Sequence, residues 1–554
     1  MEFTLDAYAA RSCPVKTHHA FHPGMVRSDE PINIPRLPGA AEFSAAAIER
    51  LKAGAAQVVD LRIPETPGSE AEEKACLAAM DAGADVIIGG LLPRDWAGHR
   101  QGRPELLVRD PAGGYIPGTI KFQRVVDARK DDQPFSYSTL DDLTVRRTGT
   151  GWRYRWHWRW ANAVQLAHLW RLLESLGRAA AGGPQGLVVG NEVNCGEGPL
   201  AVWLDLTEAC VPAPAALAGS SDGPRSVSAL ERYDAEFADR VGLAEAAAAS
   251  TAGDPPLLAP VVNHECGYCA WWTVCRPQLD DDDLSLRISK SPLDAHEITV
   301  LRSSGIVTVR DLAAADLDAL LPDYLPRVQH RFGAEDRIRL AQRRSRLLHH
   351  GRQLDRLTTG PIELPKADLE IDIDIETSRE DRVYLWGFWV DSGDQEPYYR
   401  SFAGFEDLDE EQEQALARSA MSWLRELVDG RASLVFHYSD YELIRLQRLT
   451  RPGDDVLEWA NGYAKDHFID LFALVRTHFF GANGLGLKVV ASAGAGFHWR
   501  DDDPGGLNSM IWFDEAVHGA DPTAREQAKQ RVLDYNEDDV RATWALRGWL
   551  RQQH

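Results

Sequence analysis

Two sets of residues in this sequence have types and spacings that can do chemistry. The first is acidic. Asp374 and Glu376 in "DIDIET" stand two apart, so on a strand both side chains leave the same face. Glu442 closes "FHYSDYE", and Tyr535 and Asp539 in "DYNEDD" are four apart, which places them on one side of a helix. Converging carboxylates from rigid elements suit Mg²⁺ or Mn²⁺. Two such cations hydrolyse a phosphodiester by activating the attacking water and neutralising the leaving oxygen. The bland alternative is that "LEIDIDIE" is a half-buried strand with a solvated acidic face. Asp372 shares that face one step earlier and is a reserve ligand. Asp470 in "FIDLFALV" reads as a helix N-cap, and "GANGLG" as a loop without the strand–turn–helix unit of a dinucleotide site.

The second set is thiol. Cys266, Cys269 and Cys275 in "HECGYCAWWTVCRP" have C-x2-C-x5-C spacing, one ligand short of a tetrahedral site. A zinc ion would have to recruit His264, His18 or His19. A [4Fe–4S] cluster takes four thiolates, and Cys13 in "RSCPVKT" is the natural fourth. Cys76, Cys195 and Cys210 read as small buried apolar residues.

Long-range order is needed to bring these pieces together, and the chain has the length for it. Its 554 residues exceed what one core supports. Residues 1–280 mix short apolar strands ("GADVIIGGLL", "GLVVG", "LAVWLDL") with one helical pattern, "WANAVQLAHLWRLLESLG". Residues 281–360 read as a helical connector with a Gly-Ile-x-Thr turn at Gly305–Thr308 and an Arg-dense helix over 337–356. Residues 366–554 place strands first ("ADLEIDIDIET", "RVYLWGFWVD", "ASLVFHYS") and helices after, with "DYNEDD" opening the last one. The class is α/β, with linkers at 276–285 and 358–368. Seven cysteines in so long a chain argue for reduced thiols or metal ligands rather than a disulfide framework. The absence of a signal-peptide layout and of a long apolar run points to a cytoplasmic protein without a membrane partner. A formal charge of −24 is the wrong sign for a nucleic-acid binder, so any such binding rests on local basic clusters.

The acidic order Asp-x-Glu, His-x-x-x-Tyr-Glu, Tyr-x-x-x-Asp resembles the RNase H-like 3′–5′ exonucleases of the DEDD superfamily, tyrosine subtype. The resemblance implies Asp374, Glu376, Glu442 and Asp539 as metal ligands and Tyr535 as the residue orienting the attacking water. Glu442 departs from the aspartate usual there. One cysteine before a nuclease core and three after it is similar to the iron–sulfur staple of RecB/AddB-like nucleases, which closes a long loop. Between the staple ends, "GRPELLVR" (Glu105), "YIPGTIKFQR" (Lys121) and "NAVQLAHLW" (Gln165) resemble a PD-(D/E)XK core, but Thr119 occupies the place of its second acid. This half is therefore expected to bind DNA rather than cut it efficiently, with Glu72 or Glu73 as possible replacement oxygens. Helix-hairpin-helix character is implied for the connector.

Two basic clusters stand out against the acidic background. "RRTGTGWRYRWHWRW" (146–160) reads as a hairpin with Arg153, Arg155 and Arg159 on one face and Trp152, Tyr154, Trp156, Trp158 and Trp160 on the other, cations for phosphate beside rings for bases. The other is the Arg-dense helix carrying Arg343 and Arg344. Together these readings give a metal-dependent DNA nuclease, a 3′–5′ exonuclease on single strands, with a helicase as a further partner. A non-catalytic nucleic-acid-binding protein with decayed sites and an RNA exonuclease are the alternatives.

Overall fold

The computed structural model describes residues 2–28, 39–62, 70–128, 133–191, 199–217 and 226–553. Cys195 lies outside them. The chain divides into two compact units, one of residues 1–287, 293–308 and 315–338, the other of residues 288–292, 309–314 and 339–554. The expected connector is thus shared between the two units.

The first unit is built on a mixed eight-stranded sheet. Its strand order is Val58–Leu61, Val86–Gly89, Leu106–Arg109, Tyr115–Lys121, Gln185–Gly190, Leu200–Asp205, Phe135–Thr139 and Asp142–Gly149. The apolar runs of the sequence supply its central strands, and Val86, Ile87, Ile88, Leu106 and Leu107 are completely buried. Tyr115–Lys121 and Gln185–Gly190 are parallel neighbours, which demands a crossover, and the chain between them includes the helix Trp156–Ser175. That helix buries Ala163, Val164, Leu166, Ala167 and Trp170 in the same core as Leu187 and Val188. The helix Ala229–Ala249 starts at a full capping box, Ser228 with Glu231.

Two local expectations are corrected. Residues 146–160 do not form a hairpin: Asp142–Gly149 pairs with Phe135–Thr139, Trp152–Tyr154 pairs with Val126–Ala128, and the crossover helix begins at Trp156. An alternating Arg/Trp run fits either period over so few residues, and burial of the helix face decides it. Nor is "RPQLDDDDLS" a free linker. Asp283 is 1% exposed; it accepts from Ser285 N (2.8 Å), Ser285 Oγ (2.6 Å) and Arg302 Nη2 (2.9 Å).

The second unit carries a five-stranded sheet in the order Tyr398–Ala403, Val383–Asp391, Leu369–Thr377, Ser433–His437, Phe468–Asp470. The first three are antiparallel and the last two run parallel to the central strand. Leu369, Ile371, Ile373 and Ile375 of that central strand pack on one side with Ala417, Ala420, Met421 and Leu424 of the helix Glu410–Val428. Its other side is the acidic one, and it is covered rather than solvated: Glu370, Asp372 and Glu376 are all buried. The cover is the helix Pro522–Leu550, joined by Gly506–His518. "DYNEDD" sits in the middle of this helix, which starts earlier than expected, at Asp521 capping Thr523 N with Pro522 as first residue.

Candidate active site

One acidic face receives two different treatments along its length. At the near end, Arg547 Nε donates to both Asp372 oxygens (3.1 and 3.2 Å), and Arg547 and Arg551 both bond Glu370. Burial works to raise Glu370, but Arg551 and Arg547 outweigh it and hold the carboxyl below its ordinary value. Asp372 is pushed up to about 7 by burial, with Arg547 opposing. It is structural, and its carboxylate is already engaged, so the reserve assignment is corrected.

At the far end, among the described residues, no arginine bonds Asp374, Glu376 or Asp539. The ligand oxygens of Asp374, Glu376 and Asp539 all lie within 4.8 Å of one another. Neutral donors hold each in place. Asn536 Nδ2 donates to Asp374 Oδ2 (2.7 Å), and Tyr399 Oη donates to Asn536 Oδ1 (2.7 Å). Ser509 Oγ donates to Glu376 Oε2 (2.6 Å) while sharing a hydrogen bond with Tyr384 Oη (3.0 Å). Trp499 Nε1 donates to Asp539 Oδ1 (2.6 Å). Asn536 reaches Asp374 only because residue 387, opposite Asp374 in the sheet, is glycine: a Cβ there would lie 1.7 Å from Asn536 Oδ1.

Burial first, and then Asp539, Glu376 and Glu442, drive Asp374 well above the carboxylate range. Burial and Asp539 push Glu376 up to about 8. Burial also raises Asp539, against Lys488, Trp499 and Tyr535. Three carboxylates packed this way are stable as anions only with added positive charge. The donor set, hard oxygens at mutual ligand spacing, fits a divalent cation.

Glu442 is the second residue of the helix Tyr441–Leu449 and is 4% exposed. It lies outside the ligand-spaced trio, but its field raises Asp374. Among the described residues its Oε2 has no hydrogen-bond partner, with His437 Nδ1 at 3.8 Å, and burial pushes its carboxyl up to about 8. The turn that presents it is strained, with Ser439 at φ 90°, and Asp470 Oδ1 holds that turn by accepting from Ser439 N (3.0 Å). Asp470 also caps its own helix through Phe472 N (2.8 Å), as expected.

Tyr535 hydrogen-bonds Asp539 and accepts from Lys488 Nζ at 2.7 Å. Lys488 is a member of the site that sequence reasoning missed. It lies in the helix Leu487–Val490, beside a glycine-rich loop, and no spacing rule ties it to the acids.

The N-terminal candidates behave differently. Glu105 and Lys121 do meet, but Glu105 has its oxygens taken by Thr119 Oγ1 (2.9 Å), Ile120 N (2.6 Å) and Lys121 Nζ (2.8 Å). The hydroxyl in the place of the second acid thus donates to the first. Gln165 Oε1 is buried with no hydrogen-bond partner among the described residues. Glu72 is buried and bonded to Arg103. Among the described residues no ligand-spaced trio forms there.

Cys13, Cys266, Cys269 and Cys275 line one pocket, and exposed His264 does not. Among the described residues, however, no three sulfurs lie within 4.8 Å of one another, whereas sulfurs around one zinc ion are about 3.8 Å apart. Cys76 is buried as expected; Cys210 is half-buried, its Sγ near Glu208 O at 3.4 Å.

In the 146–160 cluster, Arg153 and Trp158 are exposed, Arg155 Nε pairs with Asp127 Oδ1 at 3.0 Å, and Arg159 Nε donates to Arg124 O at 3.2 Å. The Arg-dense helix spans Ala334–His349. Its Arg343 pairs with Asp355 (2.8 Å), and Arg344 is 6% exposed with Nε donating to Ala482 O at 3.2 Å. A buried Arg344 cannot meet a phosphate, which corrects that assignment.

Residues 372–551 match the family model of the RNase_H superfamily. No curated protein matches the chain. The C-terminal domain is therefore RNase H-like, a family relation that points to a nuclease hydrolase. RNase H-like nucleases use divalent metals such as Mg²⁺, and a carboxylate cluster of the needed kind is present. Among the described residues no helix is long and apolar enough to cross a membrane.

Proposed function

We propose that the C-terminal domain is a metal-dependent 3′–5′ exonuclease acting on single-stranded DNA, with Asp374, Glu376, Asp539 and Glu442 around its metals. One observation carries this reading. On a single strand face beneath a single helix, the near carboxylates are matched by arginines while Asp374 and Glu376 converge with Asp539 on one another. Held by these carboxylates, Mg²⁺ or Mn²⁺ would supply the missing charge and the activation of water.

The chain's own residues do the rest. Asn536, Ser509 and Trp499 fix three carboxylates, so no reorganisation is needed when substrate arrives. Lys488 holds the Tyr535 hydroxyl from one side and Asp539 from the other, leaving the phenol fixed to orient the attacking water. Lys488 also brings a cation to where a phosphate must come. Exposed Arg153 and Trp158 support a DNA-handling role for the N-terminal half. Its Glu105, engaged by three donors, favours binding there without efficient cutting. A PD-(D/E)XK relationship of that half, of RecB type, and a helicase partner belong to this same proposal.

For the thiol pocket the proposal is a [4Fe–4S] cluster held by Cys13, Cys266, Cys269 and Cys275, tying the two ends of the N-terminal half. Four sulfurs around one pocket fit it by donor type. Burial first, then the neighbouring thiols, pushes Cys275 up to about 12, and burial raises Cys13 and Cys266. Thiolates so placed need a cationic group.

The test is a single-stranded DNA oligonucleotide labelled at its 5′ end, with Mn²⁺ or Mg²⁺, beside the Asp374→Asn variant and an RNA of the same sequence. A ladder shortening from the 3′ end on DNA, absent in the variant, is expected. Equal cutting by the variant would move catalysis to the N-terminal half. Retardation in a gel without cutting by either protein would leave a binding protein.

A further inference from the structure

His18 and His19 sit on the helix Pro14–Phe21, whose N-cap is Cys13. Both are almost wholly buried, at 0% and 1% exposure, so their ring nitrogens have only protein partners to choose from. Leu257 N lies 3.1 Å from His18 Nε2, His18 Nδ1 lies 2.9 Å from His19 Nδ1, and His19 Nε2 lies 3.5 Å from Cys275 Sγ.

A backbone N–H can only donate, and a neutral imidazole has one donor and one acceptor nitrogen. The chain of contacts therefore has a single consistent solution. His18 Nε2 accepts from Leu257, so the His18 proton is on Nδ1. That proton is donated to His19 Nδ1, so the His19 proton is on Nε2, where it faces the sulfur of Cys275. The opposite assignment, needed if His19 were to bind a metal through Nε2, would set the His18 Nε2–H head-on against the Leu257 N–H.

We infer that His19 is a hydrogen-bond donor to Cys275 Sγ and not a metal ligand, its tautomer imposed through His18 by the backbone of Leu257. The histidines thus serve the thiol pocket as positioning residues. A metal group in this pocket would be held by Cys13, Cys266, Cys269 and Cys275 without His19, which disfavours a Cys₃His zinc site. The consequence for a cluster rests on the [4Fe–4S] reading above: a donor to a ligating sulfur stabilises the more reduced, more negative state and raises the reduction potential.

Two measurements separate the failure of this inference from the failure of the cluster reading. In full-length protein labelled with ¹⁵N-histidine, two-bond proton–nitrogen correlations read the tautomers with no metal required. His18 protonated on Nδ1 and His19 on Nε2 are expected; His19 protonated on Nδ1 would overturn the inference, whatever the pocket holds. In protein purified without oxygen, iron, sulfide and zinc are then counted for the parent, His19→Leu and His19→Gln. Unchanged iron in both variants, a more negative midpoint in His19→Leu and near-parental behaviour in His19→Gln, whose amide can still donate, are expected. Zinc in the parent that both variants release would make His19 a ligand and contradict the proposal. A parent with neither iron nor zinc sinks the cluster alone, and the tautomers still decide the hydrogen bond.

Discussion

At the scale of single residues, the separation between the arginine-bonded acids and the converging trio is chemical. Asp374→Asn removes one charge from a set of mutually repelling buried carboxylates. It is expected to raise the melting temperature of metal-free protein while lowering kcat by roughly 1,000-fold, equivalent to about 4 kcal/mol. Arg547→Leu should do the reverse. It leaves buried Asp372 without its cation and Glu370 with Arg551 alone and costs about 3 kcal/mol in denaturant unfolding, with Mn²⁺ affinity retained. Lys488→Met tests the residue that no motif announced. Loss of its bond to Tyr535 should lower kcat by roughly 100-fold, and loss of its charge beside Asp539 should lower the melting temperature of metal-free protein. An unaffected kcat would make Lys488 a bystander.

At the scale of elements, placement depends on a few tight fits. Gly387→Ala puts a Cβ into Asn536 and is expected to cost about 1–3 kcal/mol together with the orientation of Asp374, read as lost stability and lost turnover in one variant. In the first unit, His168 is held neutral on the crossover helix, bonded through Nε2 to Gln101 O (2.9 Å) and through Nδ1 to Tyr233 Oη (3.0 Å). Burial lowers it to about 4 from an ordinary 6.5. The unfolded chain therefore binds this proton first, and stability falls as pH drops from about 6.5 towards 4, by up to about 3 kcal/mol. Denaturant unfolding at pH 7 and pH 4.5 should show the loss, and His168→Gln should flatten it.

These elements also show what the sequence could reveal. Period two placed Asp374 and Glu376 on one face but could not separate them from Glu370 and Asp372. That distinction is made by Arg547 and Arg551, some 175 residues away. The alternation was equally unable to say that the acidic face lies under a helix. Asp521-Pro522 did carry the start of that helix, in a signal weaker than the acids that drew attention to its middle. The Arg/Trp run misled because its period-two pattern spans too few residues to exclude a helix, and the buried face that settles it begins only at Trp160–Ala163.

At the scale of the whole molecule, a net charge of −24 makes the proposed DNA binding dependent on few cations. Arg153→Ala should weaken binding to a single-stranded oligonucleotide and reduce the slope of log K against log salt by about 0.7. Arg344→Ala should destabilise the fold and leave that slope alone. The central claim, that the far end of the acidic face holds the metals, is tested most directly by anomalous scattering from crystals soaked in Mn²⁺. The account predicts a peak bounded by Asp374, Glu376 and Asp539, absent in Asp374→Asn crystals. Manganese at Glu105 instead, or no peak among the three acids in protein that degrades DNA, would contradict it.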